Sequence, residues 1–333
     1  VVWSDLIQGV VLLLGGLFIT FLGFQAIGGI GNFLEISSGK LHTVLPWNHP
    51  EMPWVAVFIG GLWIPNIFYW GLNQFITQRT LGAKSLSHGQ KGMIFAAFLK
   101  LLIPFIIVFP GIMAFHLYRD IIPQADQAYP VFIQKILPAG FRGVMFAALF
   151  GAVMSSLDSM LNSASTIFTI DFYKKYWNKD ASSRSLVKIG RIATGVFVVI
   201  GGFWAPFIAK FGSVFQYIQK IWGFISPGIV ACFLFGIVIK KAPPAAAVGA
   251  MILGIPVYGL CLWLMPEVAF LHHMAITFII LILYMSIVTI KKPLEKPREF
   301  PVNRNVDLRS YPGIKLWGSV VIILTVLLYI IFF

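Results

Sequence analysis

Nine long apolar runs constrain this sequence more than any other feature, because each is long enough to cross a lipid bilayer as a helix. About 20 apolar residues span the hydrocarbon core. A backbone that lies in lipid must satisfy its own hydrogen bonds, which an open β-structure does not do. We therefore predict an all-α integral membrane protein. The predicted spans are 6–30, 54–77, 93–117, 143–168, 189–208, 215–238, 244–264, 271–290 and 317–333.

The composition supports this class. The 333 residues are 58% hydrophobic and 11% charged, with a mean hydropathy of +0.86, whereas globular domains carry about 25% charged residues. The net charge of +13 does not indicate nucleic-acid binding, because the basic residues fall between apolar runs. Cys232 and Cys261 lie inside apolar runs, which predicts free thiols. The chain opens with VVWSDLIQ, so we expect a piece of a longer protein.

The basic residues also predict an orientation, because cytoplasmic loops carry an excess of Lys and Arg. The loops after the second, fourth, sixth and eighth predicted spans hold most of these residues, among them Lys84, Lys174 and Lys240. The opposite loops hold fewer, for example Lys40. We therefore place the start of the first span, with Asp5, on the cytoplasmic side.

A lysine lies within the third predicted span, MIFAAFLKLLIPFIIVFPGIMAF. Lys100 is about eight residues past the cytoplasmic edge, or roughly 12 Å deep at about 1.5 Å per residue. That depth approaches the midplane of a core about 30 Å thick. Pro104 has no N–H for the carbonyl four residues earlier, which belongs to Lys100. The side chain either snorkels to the interface or has a function, and its depth favours a function.

The second predicted span, WVAVFIGGLWIPNIFYWGLNQFIT, is interrupted by a Gly-Gly pair and by Pro65. Gly and Pro also occur in simple kinks, so a kinked helix remains an alternative. Followed by Asn66, the pattern is typical of a discontinuous transporter helix. Tyr69 and Trp70 come one turn later, at mid-span rather than in an interfacial belt.

Small and hydroxyl residues mark the fourth predicted span, GVMFAALFGAVMSSLDSMLNSASTIF. Gly151, Ser155 and Ser159 are four residues apart, which suits close helix packing. Ala152, Ser155 and Ser156 also share a helix face. Two hydroxyls and a backbone carbonyl suit a hard monovalent cation, so both interpretations remain open.

Two other polar residues lie near span ends. Gln219 opens the sixth predicted span, where a polar residue is usually interfacial, and Asp5 follows Ser4, where we expect a helix cap. The histidines show no metal-ligand spacing, and we find no Ser/His/Asp set or Gly-rich phosphate loop. We therefore expect that the protein is not an enzyme.

Longer motifs carry a family resemblance. WSDLIQGVVLLLGG, NIFYWGLNQFITQRTLGAKS and MSSLDSMLNSASTIFTIDFYKKY resemble the sodium/solute symporter family, most closely its bacterial sodium/galactose branch, a relative of the animal sodium/glucose transporters. The resemblance implies a leucine-transporter-like core of two inverted five-helix repeats within one transmembrane domain, 1–333. It assigns 1–30 to the last helix of the first repeat, 54–238 to the second repeat, and 244–333 to three peripheral helices.

The resemblance also implies a function and a site. It suggests a sodium-coupled galactose or glucose symporter that works by alternating access in the bacterial inner membrane. Asn66, Lys100 and Gln219 would hydrogen-bond sugar hydroxyls. Tyr69 would stack on the sugar ring as the cytoplasmic-side gate, with Trp70 beside it. The second repeat's first helix would be broken around Pro65.

For sodium, the resemblance implies the carbonyl of Ala152 and the hydroxyls of Ser155 and Ser156, with Asp5 on the exit path. The expected partners are the sugar, sodium and the lipid bilayer, without nucleic acid, and a homodimer is left open. The first repeat's other ligands are absent from this sequence. Two alternatives remain: a sodium-coupled symporter of an amino acid or carboxylate, and a membrane sensor that binds a solute without moving it.

Overall fold

The computed structural model describes residues 2–208, 210–211, 213–299 and 306–333. All regular elements in these ranges are helical. The α-helices are α1 (Val2–Ile27), α2 (Ile30–Ile36), α3 (Trp54–Phe58), α4 (Trp63–Ile67), α5 (Gln74–Leu81), α6 (Leu86–Ile103), α7 (Phe109–Tyr118), α8 (Ala128–Ile136), α9 (Ala139–Ile167), α10 (Ser183–Ile208), α11 (Val214–Val238), α12 (Pro244–Leu264), α13 (Phe270–Lys291) and α14 (Ile314–Ile331).

Within the described ranges, nine helical stretches are long and apolar enough to cross a membrane. The prediction of nine spans is therefore confirmed. The third and fourth stretches, Leu86–Ile121 and Ala139–Trp177, are longer than their predicted spans. Hydropathy marks only the part of a helix that suits lipid, whereas these helices continue through polar residues beyond that part.

Three π-helical segments interrupt the spanning stretches of the described chain. They are Phe68–Leu72 after α4, Pro104–Val108 after α6, and Phe168–Trp177 after α9. The second begins at Pro104, as expected where a proline removes a helical N–H. Such wide turns occur frequently at functional sites.

The chain divides into two compact units, which are described separately. The first unit is Val1–Leu41 with Phe95–Val214. In it, α1 packs against α9, α7 and the π-helical segment 104–108. Glycines permit this close approach. A Cβ atom on Gly15 would lie 2.6 Å from the sulfur of Met145, and one on Gly16 would lie 2.9 Å from Cβ of Ile106.

The second unit is His42–Ile94 with Phe215–Phe333. Its core joins the interrupted helix α3–α5 to α11, α12 and α13, and Ile64, Tyr258 and Leu271 are fully buried in it. A second cluster fills the space between α11, α12 and α13 around Leu281 and Met285.

The break in α3–α5 lies at glycines rather than at the proline. The sequence prediction placed it around Pro65, but Pro65 is the third residue of α4. A proline is tolerated there because the first turn of a helix needs no N–H from it. The α3 helix ends at Phe58, and the chain passes through Gly60 and Gly61 before α4 begins. A side chain on Gly61 would collide with the carbonyl oxygen of Leu271.

The linker after α13 is attached to another loop of the second unit. The N–H of Leu294 donates to the carbonyl of Lys241, and the N–H of Arg298 donates to the carbonyl of Lys240, both at 2.9 Å. These bonds join two loops that the positive-inside rule places in the cytoplasm. Residues 300–305 of the basic linker lie outside the described residues.

Candidate functional site

The first unit joins two residues that were predicted to lie on the sodium path. The hydroxyl of Ser155 on α9 donates a hydrogen bond to the carboxylate of Asp5 on α1. Asp5 lies inside the first turn of α1, which begins at Val2, so the expectation that it caps this helix is wrong. Its carboxylate reaches a neighbouring helix instead.

This hydrogen bond decides which part of the Ser155 hydroxyl is used and which part is left for another partner. A hydroxyl has one hydrogen and two lone pairs. Because Ser155 donates its hydrogen to a carboxylate, its oxygen presents lone pairs elsewhere. Ala152 is half-buried and Ser156 is exposed on the same helix. The arrangement therefore offers neutral oxygens beside one negative charge, which suits a small monovalent cation.

The packing interpretation holds for the other small residues of this helix. Ser159 is buried and donates to the carbonyl of Ser155 in its own helix at 3.1 Å. Gly151 leaves room for Gln8, because a Cβ atom there would lie 2.7 Å from Nε2 of that side chain. Close packing thus accounts for Gly151 and Ser159, whereas the cation contact of Ala152, Ser155 and Ser156 stays a prediction.

Lys100 lies in the last turn of α6, directly before the π-helical segment 104–108. Its side chain is exposed within the first unit. Lys100 and Asn66, predicted to share the sugar, belong to different units. Their shared contact with a sugar stays a prediction.

Three of the predicted sugar-site residues lie on the interrupted helix of the second unit. Asn66 on α4 is exposed and donates from Nδ2 to the carbonyl of Leu62 at 2.9 Å. Tyr69 and Trp70 lie in the π-helical segment 68–72, with ring centroids 5.0 Å apart in an edge-to-face contact. Phe75 contacts Tyr69 in the same way at 5.7 Å.

Gln219 lies on α11 and is only 7% exposed. Gln219 is therefore covered by other residues of the protein, near the start of α11 at Val214. Its Oε1 atom is buried and accepts no hydrogen bond from the part of the chain that the structure describes. Buried polar atoms are nearly always partnered, so this oxygen fits a donor supplied by a bound solute.

Trp222 was not among the predicted site residues and lies one helical turn after Gln219. Its indole ring stacks on Tyr69, with centroids 5.1 Å apart and planes at 30°. It also meets Phe68 edge-to-face at 6.1 Å. The spacing of three residues in QKIW would have placed both side chains on one face of α11. The second unit therefore combines a neutral amide with stacked aromatic rings.

Comparison with known proteins relates this arrangement to a family of membrane transporters. The profile of the sodium:solute symporter family matches residues 1–254. The chain is 42% identical to the sodium/glucose cotransporter of Vibrio parahaemolyticus over 308 residues, which cover 84% of this chain and 56% of that protein. It is 35% identical to the uncharacterized symporter YidK of Escherichia coli (strain K12) over 321 residues, 94% of this chain and 56% of that protein.

Less similar proteins are also sodium-coupled transporters. The sodium/myo-inositol cotransporter 2 of Sus scrofa is 34% identical over 77% of this chain and 43% of that protein. The chain thus spans about half the length of these curated relatives. A solved substrate-bound, outward-open Na⁺-coupled sialic acid symporter aligns with a TM-score of 0.70 at 21% identity, over 89% of this chain and 62% of that one. The predicted leucine-transporter-like fold is confirmed.

Proposed function

Because the chain belongs to the sodium:solute symporter family, we propose that it serves sodium-coupled uptake of a neutral sugar, galactose or glucose, by alternating access. Sodium would bind at the carbonyl of Ala152 and the hydroxyls of Ser155 and Ser156. It would leave past Asp5 toward the cytoplasm. The proposed location is the bacterial inner membrane, and whether two copies associate there is a separate prediction.

The observation that carries the sugar proposal is the buried oxygen of Gln219, three residues before the Trp222 that stacks on Tyr69. An amide oxygen accepts a hydrogen bond from a hydroxyl. An aromatic face covers the apolar side of a pyranose ring. The named site residues of the second unit carry no charge, whereas an amino acid or a carboxylate needs charged partners. The similarity of this chain to the sodium/glucose cotransporter of Vibrio parahaemolyticus also supports a sugar as the transported solute.

The sodium gradient supplies enough free energy for this task. One sodium ion that moves down 100 mV releases about 2.3 kcal/mol, and a tenfold concentration gradient adds about 1.4 kcal/mol. At one sodium per sugar, this sum supports roughly a few-hundred-fold accumulation of the sugar.

A second candidate is a sodium-coupled symporter of an acidic solute. The ammonium group of Lys100 lies within a membrane-spanning stretch of the first unit and would pair with a carboxylate. The aligned sialic acid symporter carries such a solute. The two candidates differ in what Lys100 binds: a sugar hydroxyl or a negative charge.

The test uses the full-length protein in proteoliposomes. Uptake of labelled galactose, glucose, sialic acid, myo-inositol, proline and pantothenate is measured with a sodium gradient and with potassium in its place. We expect sodium-dependent uptake of galactose or glucose. Preferred uptake of sialic acid would favour the acidic candidate, and counterflow of labelled sugar separates transport from sensing.

Matched variants connect the result to the site. Gln219→Leu removes the buried oxygen and should abolish saturable sugar uptake. Gln78→Leu is the control, because Gln78 lies on α5 and donates to the carbonyl of Phe75 in its own helix at 3.3 Å. Equal uptake by the two variants would contradict the proposed site.

A further inference from the structure

A threonine in the C-terminal part of α1 has two alternative hydrogen-bond acceptors. Thr20 is 7% exposed. Its hydroxyl oxygen lies 2.8 Å from the carbonyl oxygen of Gly16 in its own helix and 2.8 Å from that of Phe105 in the π-helical segment 104–108. A hydroxyl has only one hydrogen. The Thr20 hydroxyl therefore has two arrangements, one within α1 and one between two helices.

The carbonyl of Phe105 lacks the backbone N–H donor that a π-helix would give it. In a π-helix, a carbonyl accepts from the N–H five residues later, and the N–H of Phe109 indeed donates to the carbonyl of Pro104. The next such bond would join Pro110 to Phe105, but proline has no N–H. Thr20 supplies the hydrogen that Pro110 lacks.

Neighbouring contacts show that α1 packs tightly against the π-helical segment 104–108. The backbone of Gly16 lies against the side chain of Ile106, with no room for a methyl group between them. The bond from Thr20 thus closes a contact that is already tight. A shift of α1 along the segment would move the hydrogen of Thr20 to Gly16 and leave the carbonyl of Phe105 without it.

The same helix carries the Asp5–Ser155 hydrogen bond at its other end. Asp5 and Thr20 are 15 residues apart, which is roughly 22 Å along an α-helix at about 1.5 Å per residue. Lys100 precedes the π-helical segment by one turn. One helix therefore connects the predicted sodium ligands to the segment that follows the predicted sugar ligand of the same unit.

Two other helical threonines show the ordinary pattern. Thr194 donates to the carbonyl of Gly190 at 2.9 Å, and Thr289 donates to that of Met285 at 2.7 Å, each within its own helix. Such bonds four residues back are ordinary for helical threonines. These two bonds do not join one helix to another, whereas Thr20 has a second acceptor on a neighbouring segment.

We propose that Thr20 couples sodium binding to sugar binding, by holding the π-helical segment 104–108 to α1 in only one of the two transport states. This inference rests on the proposed function, and Thr20 acts as a positioning residue rather than as a ligand. A ligand changes an equilibrium only through a difference in its affinity for two states. Sodium at Ser155 would favour one position of α1, and the Thr20 hydrogen bond would pass that preference to the segment after Lys100.

The test measures the sugar dissociation constant of the full-length protein with and without saturating sodium. The ratio of the two values is the coupling factor. Thr20→Val has nearly the same shape but no hydrogen to donate, and we expect its coupling factor to fall roughly two- to tenfold, the effect of one hydrogen bond. Thr20→Ser keeps the donor and should restore the factor. Thr289→Val loses only a bond within its own helix and should match the wild type.

A second readout needs no sugar. Hydrogen exchange in peptides that cover 104–118 and 150–160 is followed by mass spectrometry as sodium is added. In the wild type we expect sodium to slow exchange in both peptides, and in Thr20→Val only in 150–160. If Thr20 had only a structural role, Thr20→Val would change the exchange rates without sodium. Sodium would then still slow exchange in both peptides.

The outcomes separate the inference from the function on which it rests. Wild-type coupling in Thr20→Val, or an unchanged sodium response in 104–118, would overturn the role of Thr20 and leave sodium-coupled symport intact. Sugar binding that ignores sodium in the wild type would overturn the proposed function. In that case, a sodium response in 104–118 that depends on Thr20 would still support the connection between the two helices.

Discussion

The indole ring of Trp222 lies face to face with the phenol ring of Tyr69, at a centroid distance of 5.1 Å. Trp70 and Phe75 contact the same phenol ring with their edges. Three aromatic neighbours therefore fix the orientation of Tyr69 within a segment of π-helical backbone. If Tyr69 is the proposed gate, this support lowers the entropy cost of stacking its ring on a sugar.

Replacement of Trp222 should loosen this support. A stacked aromatic pair contributes about 0.5–1.5 kcal/mol beyond its buried area, so Trp222→Ala should raise the KM for sugar roughly two- to tenfold. Trp222→Phe keeps a stacked ring and should lie near the wild type. Trp263→Ala is the control, because this residue of the second unit is 75% exposed. Uptake kinetics in proteoliposomes measure the effect, and equal KM values for both alanine variants would contradict it.

Lys100 should be essential for transport but not for folding. If it binds a sugar hydroxyl, Lys100→Ala loses a hydrogen bond to a charged group, which costs about 1.5–3 kcal/mol and lowers the apparent sugar affinity roughly ten- to hundredfold. Lys100→Arg should not restore the affinity, because a planar guanidinium does not replace a compact ammonium. Expression should hold, because removing a charge makes the span easier to insert.

The control for this lysine lies on the same helix. Lys91 is exposed and lies 5.0 Å above the ring of Tyr311, so Lys91→Ala should transport normally. A snorkelling Lys100 would tolerate alanine, and arginine would behave like the wild type. Sugar uptake at wild-type affinity in Lys100→Ala would therefore refute the assignment.

Sodium affinity should depend on Ser155 and Ser156. Each alanine replacement removes an oxygen that a small cation does not easily recover, so the half-saturating sodium concentration should rise roughly tenfold. Asp5→Asn should raise it as well, because a neutral amide no longer attracts the cation. Ser159→Ala is the control, since its hydroxyl bonds within its own helix. Unchanged sodium dependence in both Ser155→Ala and Ser156→Ala would reduce these serines to packing residues.

Gly61 should not tolerate even a methyl group. Its added Cβ would collide with the carbonyl oxygen of Leu271 and lie 2.9 Å from Cβ of Met274. Overpacking of this kind typically costs 1–3 kcal/mol, so Gly61→Ala should lower the Tm of the purified protein. Gly71→Ala, with no atom within 4 Å of its added Cβ, should leave the Tm nearly unchanged. A lower Tm for Gly71→Ala than for Gly61→Ala would show that Gly61 does not pack tightly against Leu271 and Met274.

The predicted orientation is tested with impermeant thiol reagents on intact cells, in a cysteine-free background. Single cysteines replace Ser38 and Asn178, which are exposed in loops of opposite predicted sides. We expect labelling at position 38 and protection at position 178 until the membrane is permeabilised. Labelling at position 178 alone would reverse the assignment.

The sequence predicted the spanning helices well, because hydropathy records directly which backbone suits lipid. It named both the Gly-Gly pair and Pro65 as interruptions of this span but did not show that the break lies at the glycines, since the decisive neighbour of Gly61 is Leu271, 210 positions further along the chain. Asp5 and Ser155, which share a hydrogen bond, are also 150 positions apart in the sequence. No local sequence pattern predicts this contact. The sequence suggested each residue alone, whereas their contact needed the packing of α1 on α9.

The π-helical segment 104–108 affects how this chain compares with related sequences. A π turn holds one more residue than the α turn it replaces, so it is equivalent to a single inserted residue. Deleting one residue there would restore an ordinary helix and leave the side chains beyond it on nearly the same faces relative to Lys100, because the wide turn accommodates the extra residue. A gap of one position in an alignment at this point would thus indicate the loss of the wide turn that meets Thr20, rather than a change of helix face beyond it. The length of this segment deserves the same care in comparing sequences as the identity of its residues.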